Sequence, residues 1–82
     1  MESIQIYNKL LPALRTRVNN FKEFGISYIS EHDIWVYLNE CVWKNLELPI
    51  NDLISDILNI PSYLIKDYIL NKHNKKDNNQ VL

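Results

Sequence analysis

The sequence predicts an all-α protein, a small four-helix single domain with short links and a disordered C-terminal tail. Three observations lead to this prediction. The chain has 82 residues, which is the size of one domain. It contains one Gly and three Pro, too few turn-forming residues for a sheet of many strands. Its apolar residues recur at spacings of three and four, which is the period of an amphipathic helix.

The first helix is predicted over residues 3–24, where the apolar residues share one face. Gly25 supplies the stop signal, because glycine readily adopts the left-handed conformation that ends many helices. Pro12 interrupts the pattern, since it lacks a backbone N–H and crowds the carbonyl of Asn8. We therefore expect the helix either to kink at Pro12 or to begin afresh near Leu11, with an irregular or frayed first turn. The apolar face comprises Ile4, Tyr7, Leu11, Leu14, Val18 and Phe21.

The second helix is predicted to begin at Glu31, after a short extended connector of residues 25–30. Ser30 and Asp33 have the spacing of a capping box, in which each side chain binds the backbone N–H of the other residue. The apolar stripe of this helix comprises Trp35, Leu38, Cys41 and Val42. In a regular helix Ile34 and Trp43 point away from the centre of that stripe.

Trp43 has two interpretations. In the first, it lies in a loosening last turn and folds back over the core. In the second, it is an exposed anchor for a protein partner, a role in which tryptophan is over-represented. Lys44 follows it directly and would share the second role.

The third helix is predicted from Pro49 to about Leu58. Proline is well suited to the first turn of a helix, where its missing N–H would have no partner. Asp52 and Asp56 lie one turn apart on the outer face. They are expected to form part of an acidic surface.

The fourth helix is predicted to begin near Ser62, because the residue before Pro61 is forced out of helical geometry. Its apolar pattern ends after Leu70. The residues that follow are polar and lack an apolar period, as is typical of disordered segments. The sequence therefore predicts a helical domain over residues 1–72 and a disordered polar tail over residues 73–82.

Catalysis and cofactor binding are not expected. His32, Cys41 and His73 do not have the spacing of metal ligands. Asp52 and Asp56 could in principle act as acid and base, but two acids one turn apart on a polar face ordinarily form a solvated surface. The single glycine cannot build a phosphate-binding loop. We predict a non-enzymatic protein without a metal, a cofactor or a small-molecule substrate.

The chain is predicted to be cytoplasmic and not to insert into a membrane. Glu2, Asn8 and Lys9 interrupt the region where a signal peptide would need a continuous apolar run. The longest apolar run, residues 34–38, is far shorter than the ~18 residues that span a bilayer. The lone cysteine forms no internal disulfide, which fits a reducing compartment.

Charge is unevenly distributed along the chain. Residues 1–25 carry four basic and two acidic side chains, residues 26–60 carry one and six, and residues 61–82 carry four and two. Binding to a polyanion needs clustered Lys and Arg, so any contact with a nucleic acid is expected at the two ends. The candidate RNA-binding residues are Arg15, Asn19 and Lys22 on one edge of the first helix, if that helix is continuous, with Lys66 and Lys72 on the fourth. The alternative is that these charges only solvate the surface.

The acidic middle of the chain suggests a different function. A protein-protein adaptor could dock on a basic partner through a surface formed by the second and third helices. The candidate partner-binding residues are Trp43, Lys44, Asp52 and Asp56. A DNA-binding helix-turn-helix is a third alternative, but its recognition helix would be the third helix, which has neither Lys nor Arg to attract phosphates.

Several short motifs occur in a distinctive order. Phe21 to Gly25 precede a capped Asp-Ile-Trp helix start at residues 33–35, which is followed by Trp-Lys at 43–44 and Asp-Ile-Leu at 56–58. Over residues 10–70 this arrangement resembles the ComN-like post-transcriptional regulator family of Firmicutes, typified by a regulator of competence. The resemblance implies a non-enzymatic helical protein that acts on particular transcripts through RNA and/or protein partners.

Overall fold

The computed structural model describes the backbone of residues 2–44 and 46–81, and the side chains of residues 4–44 and 46–72. Within this part the chain forms four α-helices, one π-helical segment and no strand. The predicted fold class is therefore confirmed. The elements are α1 (Glu2–Glu23), α2 (Glu31–Tyr37), the π-segment (Leu38–Trp43), α3 (Ile50–Asn59) and α4 (Ser62–Val81).

The end of α4 bears on the predicted tail. The helix continues to Val81, so the boundary predicted between residues 1–72 and 73–82 falls inside it. The side chains of residues 73–82 lie outside the described part of the chain. The division into a domain and a disordered tail therefore stays a prediction.

Helix α1 is one helix that includes Pro12, so the alternative of a fresh start near Leu11 is wrong. A kink at Pro12 and a frayed first turn stay predictions. Pro12 and Asn8 are both exposed, so water can bind the Asn8 carbonyl that loses its helical partner. The other side of the helix faces the core. The side chains that it buries there are Leu10, Leu14, Val18 and Phe21, whereas Ile4 from the predicted apolar face is 67% exposed.

Gly25 ends α1 as predicted. Its φ of 83° is left-handed, a conformation in which a side chain would be strained. The N–H of Ile26 donates to the carbonyl of Phe21, and the N–H of Gly25 donates to that of Lys22, each at 2.9 Å. These two bonds are the Schellman pattern, which satisfies two of the last helical carbonyls.

The predicted capping box at the start of α2 is also confirmed. The hydroxyl oxygen of Ser30 accepts from the N–H of Asp33 at 3.2 Å, and the Asp33 carboxylate accepts from the N–H of Ser30 at 2.9 Å. Ile29, directly before the cap, is buried. The connector between α1 and α2 is therefore held at its end by both a polar and an apolar contact.

Helix α2 passes directly into the π-segment, in which backbone N–H groups bond to the carbonyl five residues earlier. The last such bond joins the N–H of Lys44 to the carbonyl of Asn39 at 3.0 Å. Each residue of a π-turn advances less around the axis than in an α-helix. Trp43 consequently comes into line with Leu38, five residues before it, and both side chains are buried.

The π-segment corrects the predicted apolar stripe. Cys41 is exposed and Val42 is 43% exposed, although both were predicted on the buried face. Ile34 and Trp43, which were predicted to point away from the stripe, are instead buried. For Trp43, the prediction failed because it assumed about 3.6 residues per turn to the end of the helix. Ile34 precedes the π-segment and lies one α-helical turn before the buried Leu38, so the buried face of α2 runs through Ile34 and not through the predicted stripe. Trp43 folds over the core, as the first of its two interpretations states.

The indole of Trp43 joins the π-segment to α3. Its Nε1–H donates to Oδ2 of Asp56 at 2.8 Å, in a partly buried position. A buried indole N–H normally finds a hydrogen-bond partner, and a carboxylate is a strong one. After Trp43 the chain leaves the helix through Lys44, which has a left-handed φ of 46°.

Helices α3 and α4 are separated by two residues. Ile60 is extended, with φ −71° and ψ 130°, as predicted for a residue before Pro61. Ile60 is also buried, together with Leu53 and Ile57 of α3. The link between the two helices is therefore part of the core.

The helices pack around α1 and α2. Helix α1 contacts α2 and α3, and α4 packs against α2. Among the described residues, those that are fully buried are all hydrophobic. The positions of the helices are therefore set by the shapes of apolar side chains and by polar contacts at the edge of the core.

Replacing Ser30 by Ala should lower the free energy of unfolding by about 1 kcal/mol, because the N–H of Asp33 loses its acceptor. Urea unfolding followed by circular dichroism measures the change. Ser27→Ala is the matched control, since Ser27 is exposed in the same connector but lies outside the capping box. Equal losses in the two variants would contradict a role for the cap.

The bond between Trp43 and Asp56 should appear as coupling in a double-mutant cycle. We expect Trp43→Phe and Asp56→Ala to be coupled by about 1–2 kcal/mol in urea unfolding, because the bond is charge-assisted and partly buried. The control cycle pairs Trp43→Phe with Asp52→Ala, one turn earlier on α3, and should give less than about 0.5 kcal/mol. Similar coupling in both cycles would count against the bond.

Candidate functional site

The predicted basic edge of α1 is present on the surface. Arg15, Asn19 and Lys22 are all exposed, and their spacings of four and three residues place them on one side of the helix. The prediction required a continuous helix, and α1 meets this condition. Asn8 is exposed on the same side. We call the edge formed by Asn8, Arg15, Asn19 and Lys22 the α1 edge.

The two candidate lysines of α4 have different surroundings. Lys66 and Lys72 are exposed on a helix that packs mainly against α2. The ammonium of Lys72 lies 5.0 Å from the centre of the Tyr68 ring. The Tyr68 hydroxyl donates to the carboxylate of Glu40 in the π-segment. Lys72 therefore has a carboxylate and an aromatic ring near it, which makes its charge less available to a phosphate.

The contact between Tyr68 and Glu40 also changes the ionisation of the phenol. Burial, followed by the hydrogen bond to Glu40, raises the pKa of Tyr68 above its ordinary value. The rings of Tyr37 and Tyr68 meet edge to face with their centres 5.4 Å apart. This group of side chains attaches α4 to the end of α2 and the start of the π-segment.

Arg17 was not among the predicted site residues. Its guanidinium donates to the carbonyl of Ile60 and lies 4.5 Å from the centre of the Phe21 ring. Burial lowers the pKa of Arg17 from its ordinary value. Arg17 therefore attaches α1 to the link between α3 and α4. In the sequence, Arg17 lies four residues before the apolar Phe21 and therefore on the same side of α1, whereas Arg15 lies four residues before the polar Asn19. This difference was the signal that could have shown that Arg17 faces the core and Arg15 faces solvent.

The four candidate partner-binding residues do not form one surface. Lys44 and Asp52 are exposed. Trp43 is buried, and the Asp56 carboxylate accepts its indole N–H. Trp43 is thus part of the core, and the partly buried Asp56 holds its indole. Of the two acids on α3, Asp52 is the more exposed.

An aromatic cleft lies between the N-terminal parts of α1 and α2. It has a volume of about 260 Å³ and is lined by Ile4, Tyr7, His32 and Trp35. The rings of Tyr7 and Trp35 meet edge to face, with centres 5.2 Å apart and an interplanar angle of 75°. Both rings are partly buried, whereas Ile4 and His32 are exposed at the rim. Sequence analysis did not find this cleft, because its residues come from two helices.

The cleft is connected to the core by aromatic contacts. The Trp35 ring lies 6.1 Å from the Trp43 ring, at an interplanar angle of 72°. Trp43 in turn binds Asp56 of α3. The position of Trp35 therefore depends on the π-segment, which turns Trp43 inward.

Two further findings concern the chemistry of the described residues. In the part of the chain that the structure covers, His, Cys, Asp and Glu do not form a group of three or more that could hold a metal ion. Over the same residues, the helices lack a stretch of the length and apolarity needed to cross a membrane.

A comparison with protein families agrees with the resemblance as far as post-transcriptional regulation. A family model described as "Post-transcriptional regulator" matches residues 4–81, almost the whole chain. No curated protein and no solved structure gives a significant match.

Proposed function

The chain belongs to the post-transcriptional regulator family, and from this we propose that it acts on gene expression by binding RNA directly along the α1 edge, without catalysing a reaction. The observation that carries the proposal is the exposure of Arg15 and Lys22 on one side of an unbroken helix. Two cations in line on a helix can follow the phosphates of a strand.

Polar side chains on the α1 edge support the same function. Asn19 lies between the two cations, and Asn8 lies two turns before Arg15 on the same side of α1. Amide side chains donate hydrogen bonds to phosphate and sugar oxygens. Lys66 is exposed on α4 and would add a further, more distant contact. Lys72 is proposed only as a secondary contact, because its ammonium lies over the Tyr68 ring, whose hydroxyl is bonded to Glu40.

We also propose the finer assignment that the resemblance implies. It places the chain in the ComN-like group of Firmicutes, with competence among the processes affected and the cytoplasm as its location. The support is the order of motifs over residues 10–70, together with the family match over residues 4–81.

A protein-protein adaptor is the second proposal. The link between the π-segment and α3 exposes 65% of Leu46, the adjacent Glu47 is an exposed acid, and Asp52 is an exposed acid in the first turn of α3. An apolar side chain beside carboxylates suits a partner that presents a basic rim around an apolar pocket. A helix-turn-helix on DNA is not proposed, because α3 presents Asp52 and no cation to the outside.

Direct RNA binding can be tested by titrating single-stranded and structured RNA at two salt concentrations. If about two phosphates are neutralised, a fourfold rise in salt should weaken binding of a single strand about sevenfold. Lys22→Glu should weaken binding at low salt about fivefold and flatten the salt dependence. Arg15→Glu should behave in the same way.

Lys9→Glu is the matched control for this titration. It makes the same change in net charge at an exposed position of α1, about 140° around the helix axis from Lys22. We expect its affinity to stay within about twofold of the unmodified protein, because it lies off the α1 edge. Absence of binding at low salt, or equal effects of Lys9→Glu and Lys22→Glu, would reject the proposal.

The adaptor proposal predicts a partner that survives nuclease treatment of a cell lysate. Immobilised protein should retain this partner, and Asp52→Lys should release most of it, because the change places a like charge against the basic rim. Asp67→Lys is the control, since Asp67 is an exposed acid on α4. Retention of the partner by Asp52→Lys at the level of the control would contradict the proposed surface.

A further inference from the structure

We infer that the aromatic cleft between α1 and α2 accepts one unpaired nucleobase of a bound RNA strand. The inference rests on the proposed function, because it assumes that RNA follows the α1 edge. It adds a second kind of contact, in which a base stacks on protein rings while the phosphates meet cations. The cleft residues are Ile4, Tyr7, His32 and Trp35.

The shape and the lining of the cleft suit a base. Its volume of about 260 Å³ lies below the roughly 300–1,000 Å³ typical of sites for drug-sized ligands. The rings of Tyr7 and Trp35 stand at 75° to each other and are both partly exposed. One ring can therefore stack on a flat base while the other meets its edge. Such stacking tolerates any base, because every base has a π-face.

The rim of the cleft can bind the edge of a base. His32 is exposed there, and a neutral imidazole offers one hydrogen-bond donor and one acceptor. Ile4 provides an apolar contact on the α1 side of the rim. The rim thus combines polar and apolar groups, as base-binding sites on single strands commonly do.

The α1 edge leads directly to the cleft. Lys22 lies 18 residues after Ile4, which is five full helical turns, so the two side chains lie in line along the axis. Arg15 lies close to the same line, about 17 Å along the axis from Ile4. A strand whose phosphates follow the α1 edge therefore arrives at the cleft without crossing another element.

Charge favours a base over a phosphate inside the cleft. Glu31 directly precedes His32 in the first turn of α2, and its carboxylate repels phosphate. The cations of the α1 edge lie farther along α1, where the backbone of the strand would run.

An apolar side chain of a protein partner would also fit the cleft. The line of cations leading to the cleft favours RNA, since such a side chain gains nothing from them.

The two tryptophans make the inference directly measurable. Trp43→Phe keeps an aromatic ring against Trp35 and leaves Trp35, in the cleft, as the single tryptophan, and Trp35→Phe leaves only the buried Trp43. The probes are a short oligoadenylate and an abasic oligomer of the same length. Oligoadenylate should quench the emission of Trp35 in the Trp43→Phe variant. The abasic oligomer should leave that emission unchanged, and neither probe should alter Trp43 in the Trp35→Phe variant.

Affinity provides a second measurement that does not depend on the tryptophans. Tyr7→Leu keeps an apolar side chain but removes the ring, so it should weaken oligoadenylate binding about tenfold and leave binding of the abasic oligomer unchanged. Tyr63→Leu is the control, because Tyr63 is 62% exposed on α4 and does not line the cleft. Its affinity for both probes should equal that of the unmodified protein.

Three results would overturn the inference. Equal affinity for the two oligomers without quenching of Trp35 would reject the base site but leave RNA binding by the α1 edge intact. Absence of binding to either oligomer at low salt would reject the proposed function, and the base site with it. A change in Trp35 emission with an amphipathic peptide, but not with oligoadenylate, would assign the cleft to a protein partner.

Discussion

The inward position of the Trp43 indole is the constraint on which the remaining structure depends. The π-segment aligns Trp43 with Leu38, and the Asp56 carboxylate of α3 holds its N–H. The Trp35 ring meets the Trp43 ring edge to face and, with Tyr7, lines the cleft. A regular α-helix would turn this indole towards solvent, and α2 and α3 would lose a shared contact. One local change in helical geometry thus affects both the core and the aromatic cleft on the surface.

Much of the fold is predictable from the sequence because its signals are local. Ser30 with Asp33, Gly25, and Ile60 before Pro61 each act through neighbouring backbone groups, and the structure shows all three as predicted. The π-segment is not predictable in this way. Its apolar residues fit an α-helical stripe through Cys41 and Val42 equally well, and only the packing of Trp43 against other helices selects the observed register.

The site shows the same division between local and long-range information. Sequence spacing places Arg15 and Lys22 on one edge of α1, which the structure supports. It does not reveal that Arg17 binds the carbonyl of Ile60, a contact 43 residues away. Sequence spacing also does not predict that Ile4 and His32 line the same cleft. Charge patterns along a single helix can therefore be predicted from the sequence. A cleft, or a partly buried cation such as Arg17, can be predicted only when the packing of several helices is known.

The π-segment also affects how relatives should be compared. A π-turn is commonly the result of one residue inserted into an α-helix. A relative that keeps a regular helix here would place its buried aromatic residue four positions after the counterpart of Leu38, not five. An ungapped alignment would then pair that aromatic residue with the exposed Val42 and leave Trp43 without a counterpart. Alignments of such sequences therefore need a one-residue gap between Leu38 and Trp43 to compare equivalent core positions.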